Sequence, residues 1–112
     1  MRDVQMAVVG IGATGAVLAA SLIKHHPETV LVDPRPGLEE ALKENGIRIS
    51  GEMEVQVPVR HVVDRVEKLR DFNPRLIFIS TKTFHFSGVL EALKTVFQSG
   101  TAIVSTHNGL GT

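Results

Sequence analysis

The chain has 112 residues, 43% of them hydrophobic and 21% charged, and its formal net charge is zero. This length suits one domain, residues 1–112, and the balanced charge argues against a long-range field that would attract nucleic acid, so any anion site must be local. Cysteine is missing and no apolar run reaches the roughly 18 residues of a membrane span, so we expect a cytoplasmic protein with no disulfide, nucleic-acid partner or membrane partner.

The first elements alternate between strand and helix. Residues 4–9 form a short apolar run that predicts a strand buried on both faces. Residues 13–24 predict a helix, stopped shortly afterwards by Pro27. Its predicted buried stripe consists of Val17, Leu18 and Leu22. Residues 29–32 are β-branched and aliphatic, which predicts a second strand.

A second helix and a hairpin follow in the sequence. Residues 38–45 show helical spacing of leucine and alanine and are followed by Gly46, a residue typical of a helix C-cap. Alternating residues in the stretch 46–60 predict two short strands joined by a turn at residues 50–52. Residues 64–71 predict a helical turn at the surface.

The last third of the chain returns to strand and helix. Residues 75–80 predict an apolar strand, residues 86–97 carry the most regular amphipathic helical pattern, and residues 101–105 predict a final strand. Strands that alternate with helices favour an α/β fold. The sequence therefore predicts a Rossmann-type, doubly wound, mainly parallel sheet with helices on both faces.

Three glycines lie between the first strand and the first helix. The six positions are Gly10, Ile11, Gly12, Ala13, Thr14 and Gly15. In this context the first glycine allows a tight turn, the second a close phosphate and the third close helix packing. The helix N-terminus attracts an anion, so the loop is predicted to bind a pyrophosphate. The alternative is an ordinary strand-to-helix turn.

Two charged residues follow the second strand. Asp33 lies 18 positions after Gly15, close to the spacing at which a carboxylate reaches a ribose hydroxyl, although it could also be a solvated strand end. Arg35, between two prolines, could instead pair with the 2′-phosphate of NADP. A solvated loop arginine is the alternative for that residue.

Polar residues also follow the later strands. Lys82 could meet a phosphate or ribose, and Asn108 could bond a sugar or carboxamide. His85 and His107 are more often capping or solvated residues than catalytic ones, and His61 is isolated. No two histidines and an acid show metal-ligand spacing on one helix face, so we predict no metal.

The segments "MAVVGIGATGAVLAASL", "ENGIRI", "LIFISTKTFHFSGVLEAL" and "STHNGLGT" together resemble the N-terminal domain of ketopantoate reductase, or 2-dehydropantoate 2-reductase. The resemblance implies reduction of ketopantoate to pantoate with NADPH, on the pantothenate route to coenzyme A. It also implies that the three glycines hold the pyrophosphate, that Lys82 lies near the adenosine ribose and its 2′-phosphate, and that Asn108 contacts the nicotinamide side and the substrate.

Two features depart from that family. Asp33 stands where such reductases commonly have a basic residue, which favours NADH unless Arg35 and Lys82 outweigh it. By the resemblance NADPH is expected, with NADH as the alternative. The family's catalytic lysine and substrate-binding glutamate belong to a C-terminal helical domain absent from these residues. We therefore expect no catalytic residue in this chain, near inactivity of the chain alone, a ketoacid as the small-molecule substrate, and an exposed edge that would allow a homodimer.

Two other functions fit the same residues. The chain could be the cofactor domain of a dehydrogenase that acts on another 2-keto or 3-hydroxy acid. It could also be a nucleotide-sensing module without catalysis, because a fold does not determine a function.

Overall fold

The computed structural model of this chain describes residues 6–11, 13–49, 55–80, 91 and 101–105. Two α-helices, one 3₁₀ helix and seven strands lie within these ranges. In chain order they are β1 Met6–Val9, α1 Ala13–His25, β2 Val30–Val32, α2 Leu38–Asn45, β3 Ile47–Ile49, β4 Val55–Val57, β5 His61–Val63, the 3₁₀ helix Val66–Asp71, β6 Leu76–Ile79 and β7 Ala102–Ser105.

Five strands form one parallel sheet in the order β5-β2-β1-β6-β7. The central strand β1 pairs with β2 on one side and β6 on the other, with Ala7 opposite both Val30 and Ile77. The chain leaves β1 in one direction to build β2 and β5, and the later strands β6 and β7 lie on the opposite side. This order confirms the predicted Rossmann-type α/β fold.

The strand β5 is an addition to the prediction. Its three residues were assigned to no element, because they lie between the predicted hairpin and the predicted helical turn. The strand nevertheless pairs in parallel with β2, with Val62 opposite Leu31. Three residues are too few to show a periodic pattern, and only the β-branched pair Val62 and Val63 signals a strand here.

The two faces of the sheet bury separate hydrophobic clusters. One cluster packs a sheet face against α1, α2 and the hairpin, with Val8, Leu31 and Val62 from the sheet. On the other face, Ala7, Val9 and their neighbours pack against Val66 and Leu69 of the 3₁₀ helix. That helix was predicted as a surface turn, but its two apolar side chains are buried and cover the sheet.

The buried face of α1 differs from the predicted stripe. Val17 is 55% exposed, whereas Ala19, Ala20 and Ile23 are buried against the sheet and the hairpin. The helix therefore approaches the sheet through small residues, which allow closer packing than a stripe of leucines would. The predicted stripe was wrong at Val17, which lies on the outer side, whereas its other members, Leu18 and Leu22, are partly buried and pack against the same cluster.

The predicted hairpin is confirmed as an antiparallel pair in which Ile47 lies opposite Val57. It is separate from the main sheet and packs on α1. Gly46 ends α2 as predicted, and its amide donates to the carbonyl oxygen of Leu42 at 2.8 Å. The predicted turn at residues 50–52 lies outside the described residues, as does the predicted helix 86–97 apart from Glu91, which is helical.

Candidate functional site

The carboxyl ends of the parallel strands meet at one edge of the sheet. The amide of Gly10, after β1, donates to the carbonyl oxygen of Val32 at 2.8 Å, and the amide of Ser80, after β6, donates to that of Val9 at 2.8 Å. These bonds carry the strand pairing up to the point where α1 begins. The strand order reverses between β1 and β6, since β2 and β5 lie on one side of β1 and the later strands on the other, and ligands of open α/β sheets bind at such a point.

The glycine loop turns tightly at this edge. Gly10 has a φ of 94°, a left-handed conformation that favours glycine. A Cβ atom on Gly15 would overlap the carbonyl oxygen of Gly10 and would lie 3.4 Å from the Cβ of Ser80. The first turn of α1 therefore lies directly against the ends of β1 and β6, and only a residue without a side chain fits at position 15.

The carboxylate of Asp33 links this loop to the end of β2. Asp33 is only 5% exposed, and its Oδ2 accepts a 2.8 Å hydrogen bond from the amide of Ile11. Its Oδ1 accepts a 3.0 Å bond from the amide of Arg35. These two main-chain donors set the orientation of the carboxylate, which is a buried structural group and not a solvated strand end.

The guanidinium of Arg35 completes the shell of donors around Asp33. Its Nε lies 2.9 Å from Oδ1 and its Nη2 lies 3.0 Å from Oδ2. The same Nη2 donates to the carbonyl oxygen of Ile11 at 2.5 Å. The side chain of Arg35 is nevertheless 57% exposed, so the guanidinium covers Asp33 and faces solvent at the same time.

This arrangement keeps Asp33 ionised. Burial acts to raise the pKa of Asp33, but the hydrogen bonds from the Arg35 side chain, the Ile11 amide and the Arg35 amide outweigh it and lower that pKa below its ordinary value. The buried negative charge is thus compensated by Arg35.

The structure brings together Gly10, Ile11, Gly15, Asp33 and Arg35 of the predicted site residues. The backbones of Ala13 and Thr14 form the start of α1. Gly12, Lys82 and Asn108 lie outside the described residues. Sequence reasoning weighed Asp33 and Arg35 as competitors and missed their mutual pairing, which their spacing of two residues across Pro34 could have indicated.

A second polar cluster occupies the opposite edge of the sheet, where β2 and β5 begin. Glu28 pairs with Arg60 at 2.5 Å and with Nε2 of His61 at 2.6 Å. The hydrogen bond from His61 is the main cause that lowers the pKa of Glu28, followed by that from Arg60. His61 also packs on Phe72 with ring centroids 5.3 Å apart, so the expectation of an isolated histidine was wrong.

Within the described ranges, no group of three or more His, Cys, Asp or Glu side chains is placed to hold a metal ion. The helices of the described residues are also too short or too polar to cross a membrane.

Comparison with known proteins gives consistent matches. The family described as "Ketopantoate reductase PanE/ApbA" matches residues 6–112. A 2-dehydropantoate 2-reductase of Streptococcus pyogenes serotype M1 is 26% identical over 106 residues, which are 93% of this chain and 33% of that protein.

Solved structures share the fold. A 2-dehydropantoate 2-reductase from Geobacter metallireducens GS-15 superposes with a TM-score of 0.77 at 27% identity, over 96% of this chain and 35% of that one. D-mandelate dehydrogenase, solved with NADH and anilino(oxo)acetate, has a TM-score of 0.81 at 23% identity, over 94% of this chain and 34% of that one. The chain thus spans about a third of the length of these proteins. Because the family match extends over nearly all of its residues, the chain belongs to the ketopantoate reductase family, a family of oxidoreductases.

Proposed function

We propose that residues 1–112 are the cofactor-binding domain of an NADP(H)-dependent reductase that converts ketopantoate to pantoate. The single observation that carries the cofactor assignment is the exposed guanidinium of Arg35, which lies over a buried, compensated carboxylate at the end of β2. The substrate assignment rests on the family and on relatives that are 2-dehydropantoate 2-reductases.

The glycine loop supports a pyrophosphate at the start of α1. Gly10 takes a left-handed turn and Gly15 lies against the Gly10 carbonyl, so the loop turns tightly and brings the start of α1 close to the end of β1. The first amides of a helix have no acceptor within the helix and carry the positive end of its dipole. A diphosphate would accept from these amides in a chain whose net charge is zero.

The charges at the end of β2 favour the binding of the 2′-phosphate of NADP at that place. An uncompensated Asp33 would repel that dianion, but the guanidinium of Arg35 neutralises the carboxylate, and the Arg35 side chain remains 57% exposed. Nε and Nη2 of Arg35 are engaged with Asp33 and Ile11, and Nη1 is the nitrogen that could donate charge-assisted hydrogen bonds to a phosphate. Lys82, by the family resemblance, would add a second cation near the same phosphate.

In such a reaction the bound nicotinamide supplies the hydride. The residues of this chain bind and orient the dinucleotide, and Asn108 would contact the nicotinamide side. Reduction also needs a proton donor at the developing alkoxide and a site for the ketoacid. We assign those roles to residues outside this chain, and therefore expect the chain to bind NADPH with little activity by itself.

A direct test is a side-by-side calorimetric titration of this chain with NADPH and NADH at one salt concentration. Tighter binding of NADPH is the expected result. Tighter binding of NADH would overturn the NADP assignment, and no binding of either nucleotide at millimolar concentration would overturn the dinucleotide site. Adenosine 2′,5′-bisphosphate and 5′-AMP, compared in the same way, isolate the contribution of the 2′-phosphate.

A second candidate is the cofactor domain of an NADH-dependent dehydrogenase of another ketoacid. The observation that favours it is Asp33, an acidic residue at the end of β2 whose carboxylate would accept from ribose hydroxyls if the Arg35 side chain moved off it. The same titration separates the two candidates.

A further inference from the structure

We propose that Arg35 covers a latent NADH site, so that removal of this one side chain uncovers Asp33 as a ribose acceptor and inverts the cofactor preference. The inference rests on the proposed binding of NADP(H) at this edge of the sheet. Arg35 determines the cofactor specificity. Asp33 positions the Arg35 side chain, and it becomes a ribose acceptor only when that side chain is removed.

The acceptor positions of the Asp33 carboxylate are all occupied. An ionised carboxylate offers about four lone-pair positions. Four donors occupy them: the amide of Ile11 and Nη2 of Arg35 at Oδ2, and the amide and Nε of Arg35 at Oδ1. With Arg35 in place, a ribose hydroxyl therefore finds no acceptor on this carboxylate.

The four donors to Asp33 are of two kinds. The amides of Ile11 and Arg35 belong to the main chain and remain when the side chain of residue 35 is shortened. The other two bonds come from the guanidinium and are lost. One amide is retained at each oxygen, so the carboxylate keeps its orientation and each oxygen regains one acceptor position. Two vicinal hydroxyls, the 2′ and the 3′, need two such positions.

Arg35 also determines the charge at the end of β2. The Asp33–Arg35 pair is neutral as a unit and presents its cationic partner to solvent. Without the guanidinium, the same place carries an uncompensated negative charge, which attracts hydroxyl donors and repels a 2′-phosphate. Loss of the arginine therefore weakens the binding of NADPH and strengthens that of NADH through two effects, the uncompensated negative charge and the freed acceptor positions.

The test is a comparison of Arg35→Ala with the unsubstituted chain, by titration with NADPH and NADH. We expect the Kd for NADPH to rise at least about tenfold, the scale of a lost charge-assisted bond, and the Kd for NADH to fall by roughly threefold to tenfold. Arg35→Met retains most of the aliphatic stem without its donors and should give the same inversion if the alanine variant folds poorly. A thermal melt of each variant reports on folding.

A matched control is Arg60→Ala. Arg60 is also an ion-paired arginine, 61% exposed, but it lies at the opposite edge of the sheet with Glu28. Its removal should leave the preference unchanged. The double variant Asp33→Asn with Arg35→Ala should lose the gain for NADH, because an asparagine has a single acceptor oxygen and no charge.

Each outcome separates this inference from the proposed function. If the unsubstituted chain prefers NADPH and Arg35→Ala weakens NADPH without tightening NADH, the latent site is wrong and the NADP assignment stands. If the gain for NADH persists in the double variant, Asp33 is not its source and the inference fails. If the unsubstituted chain prefers NADH or binds neither nucleotide, the proposed NADP function and the inference both fail.

Discussion

The amide of Ile11 and the carboxylate of Asp33 are joined by a 2.8 Å hydrogen bond across 22 positions of the chain. Ile11 belongs to the glycine loop and Asp33 to the end of β2. The bond therefore holds together the place proposed for the pyrophosphate and the place proposed for the ribose. Since the same carboxylate also accepts hydrogen bonds from the Arg35 guanidinium, one side chain determines the geometry of both places.

Asp33→Asn tests this double role. The amide nitrogen of asparagine would face a donor at one of the two carboxylate positions, so we expect the free energy of unfolding to fall by about 1–3 kcal/mol at neutral pH. Binding of NADPH should weaken as well, because the carboxylate no longer holds the Arg35 guanidinium in position. Denaturant unfolding and a titration measure the two effects, with the exposed Asp71→Asn as the control that changes neither.

The stabilisation by Asp33 also predicts a pH dependence. Its pKa is lower in the folded chain than in the unfolded chain, where an aspartate titrates near 4. The stabilisation is therefore present above about pH 4 and is lost as the pH falls through the lower folded value. The difference in stability between the unsubstituted chain and Asp33→Asn should shrink over this acid range. A difference that stays constant from pH 7 to pH 2 would contradict the assignment.

Gly15→Ala tests the close contact at the start of α1. In an ordinary helix this change stabilises by up to ~1 kcal/mol. Here the new methyl group would overlap the carbonyl oxygen of Gly10, so we expect a lower melting temperature and loss of dinucleotide binding. Ser21→Ala, at an exposed position of the same helix, should preserve both. An unchanged melting temperature for Gly15→Ala would show that the loop relaxes freely.

The corrected orientation of α1 leads to a paired prediction. Val17 is exposed, so Val17→Ala should leave stability unchanged or raise it by a few tenths of a kcal/mol through helix propensity. Ala19 is fully buried between the helix and its neighbours, so Ala19→Leu should cost about 1–3 kcal/mol through overpacking. Thermal and denaturant unfolding of both variants check the assignment. The reverse order of stabilities would restore the predicted stripe.

Glu28→Gln tests the cluster at the far edge of the sheet. The pKa of Glu28 is lowered chiefly by its bond with His61, so its stabilisation is present above the ordinary carboxyl range and is lost as the pH falls through the folded value. We expect a lower melting temperature at pH 7, a smaller difference at pH 3, and unchanged binding of NADPH. A change in NADPH affinity would show that the two edges of the sheet are coupled.

Much of the fold could be predicted from local patterns. The strands β1, β2 and β6 are continuous apolar runs, α2 has helical spacing and a terminal Gly46, and the hairpin alternates on both sides of a turn. The glycine spacing also located the tight turn at Gly10 and the close contact of Gly15. In each case several neighbouring residues indicate the same structure.

Other features depended on contacts that a local pattern does not contain. β5 is a strand because β2 lies beside it, and its three residues show no period of their own. Val17 is exposed because the small residues on the other side of α1 face the sheet. The pairing of Arg35 with Asp33 and Ile11 depends on a loop 24 positions earlier in the chain. Residue types could suggest these partners, but the folded backbone was needed to bring them together.

The central position of β1 has a consequence for the order of assembly. Met6 pairs with Leu76, so the first strand to be synthesised acquires its second neighbour 70 positions later. At translation rates of about 5–20 residues per second, that interval is roughly 4–14 s. β1 can join β2 early, but its other edge stays unpaired until β6 emerges, and the contact between Gly15 and Ser80 can form only then. The edge proposed to bind the nucleotide is thus among the last parts of the sheet to form, so binding of a cofactor there would have to wait until β6 has joined β1.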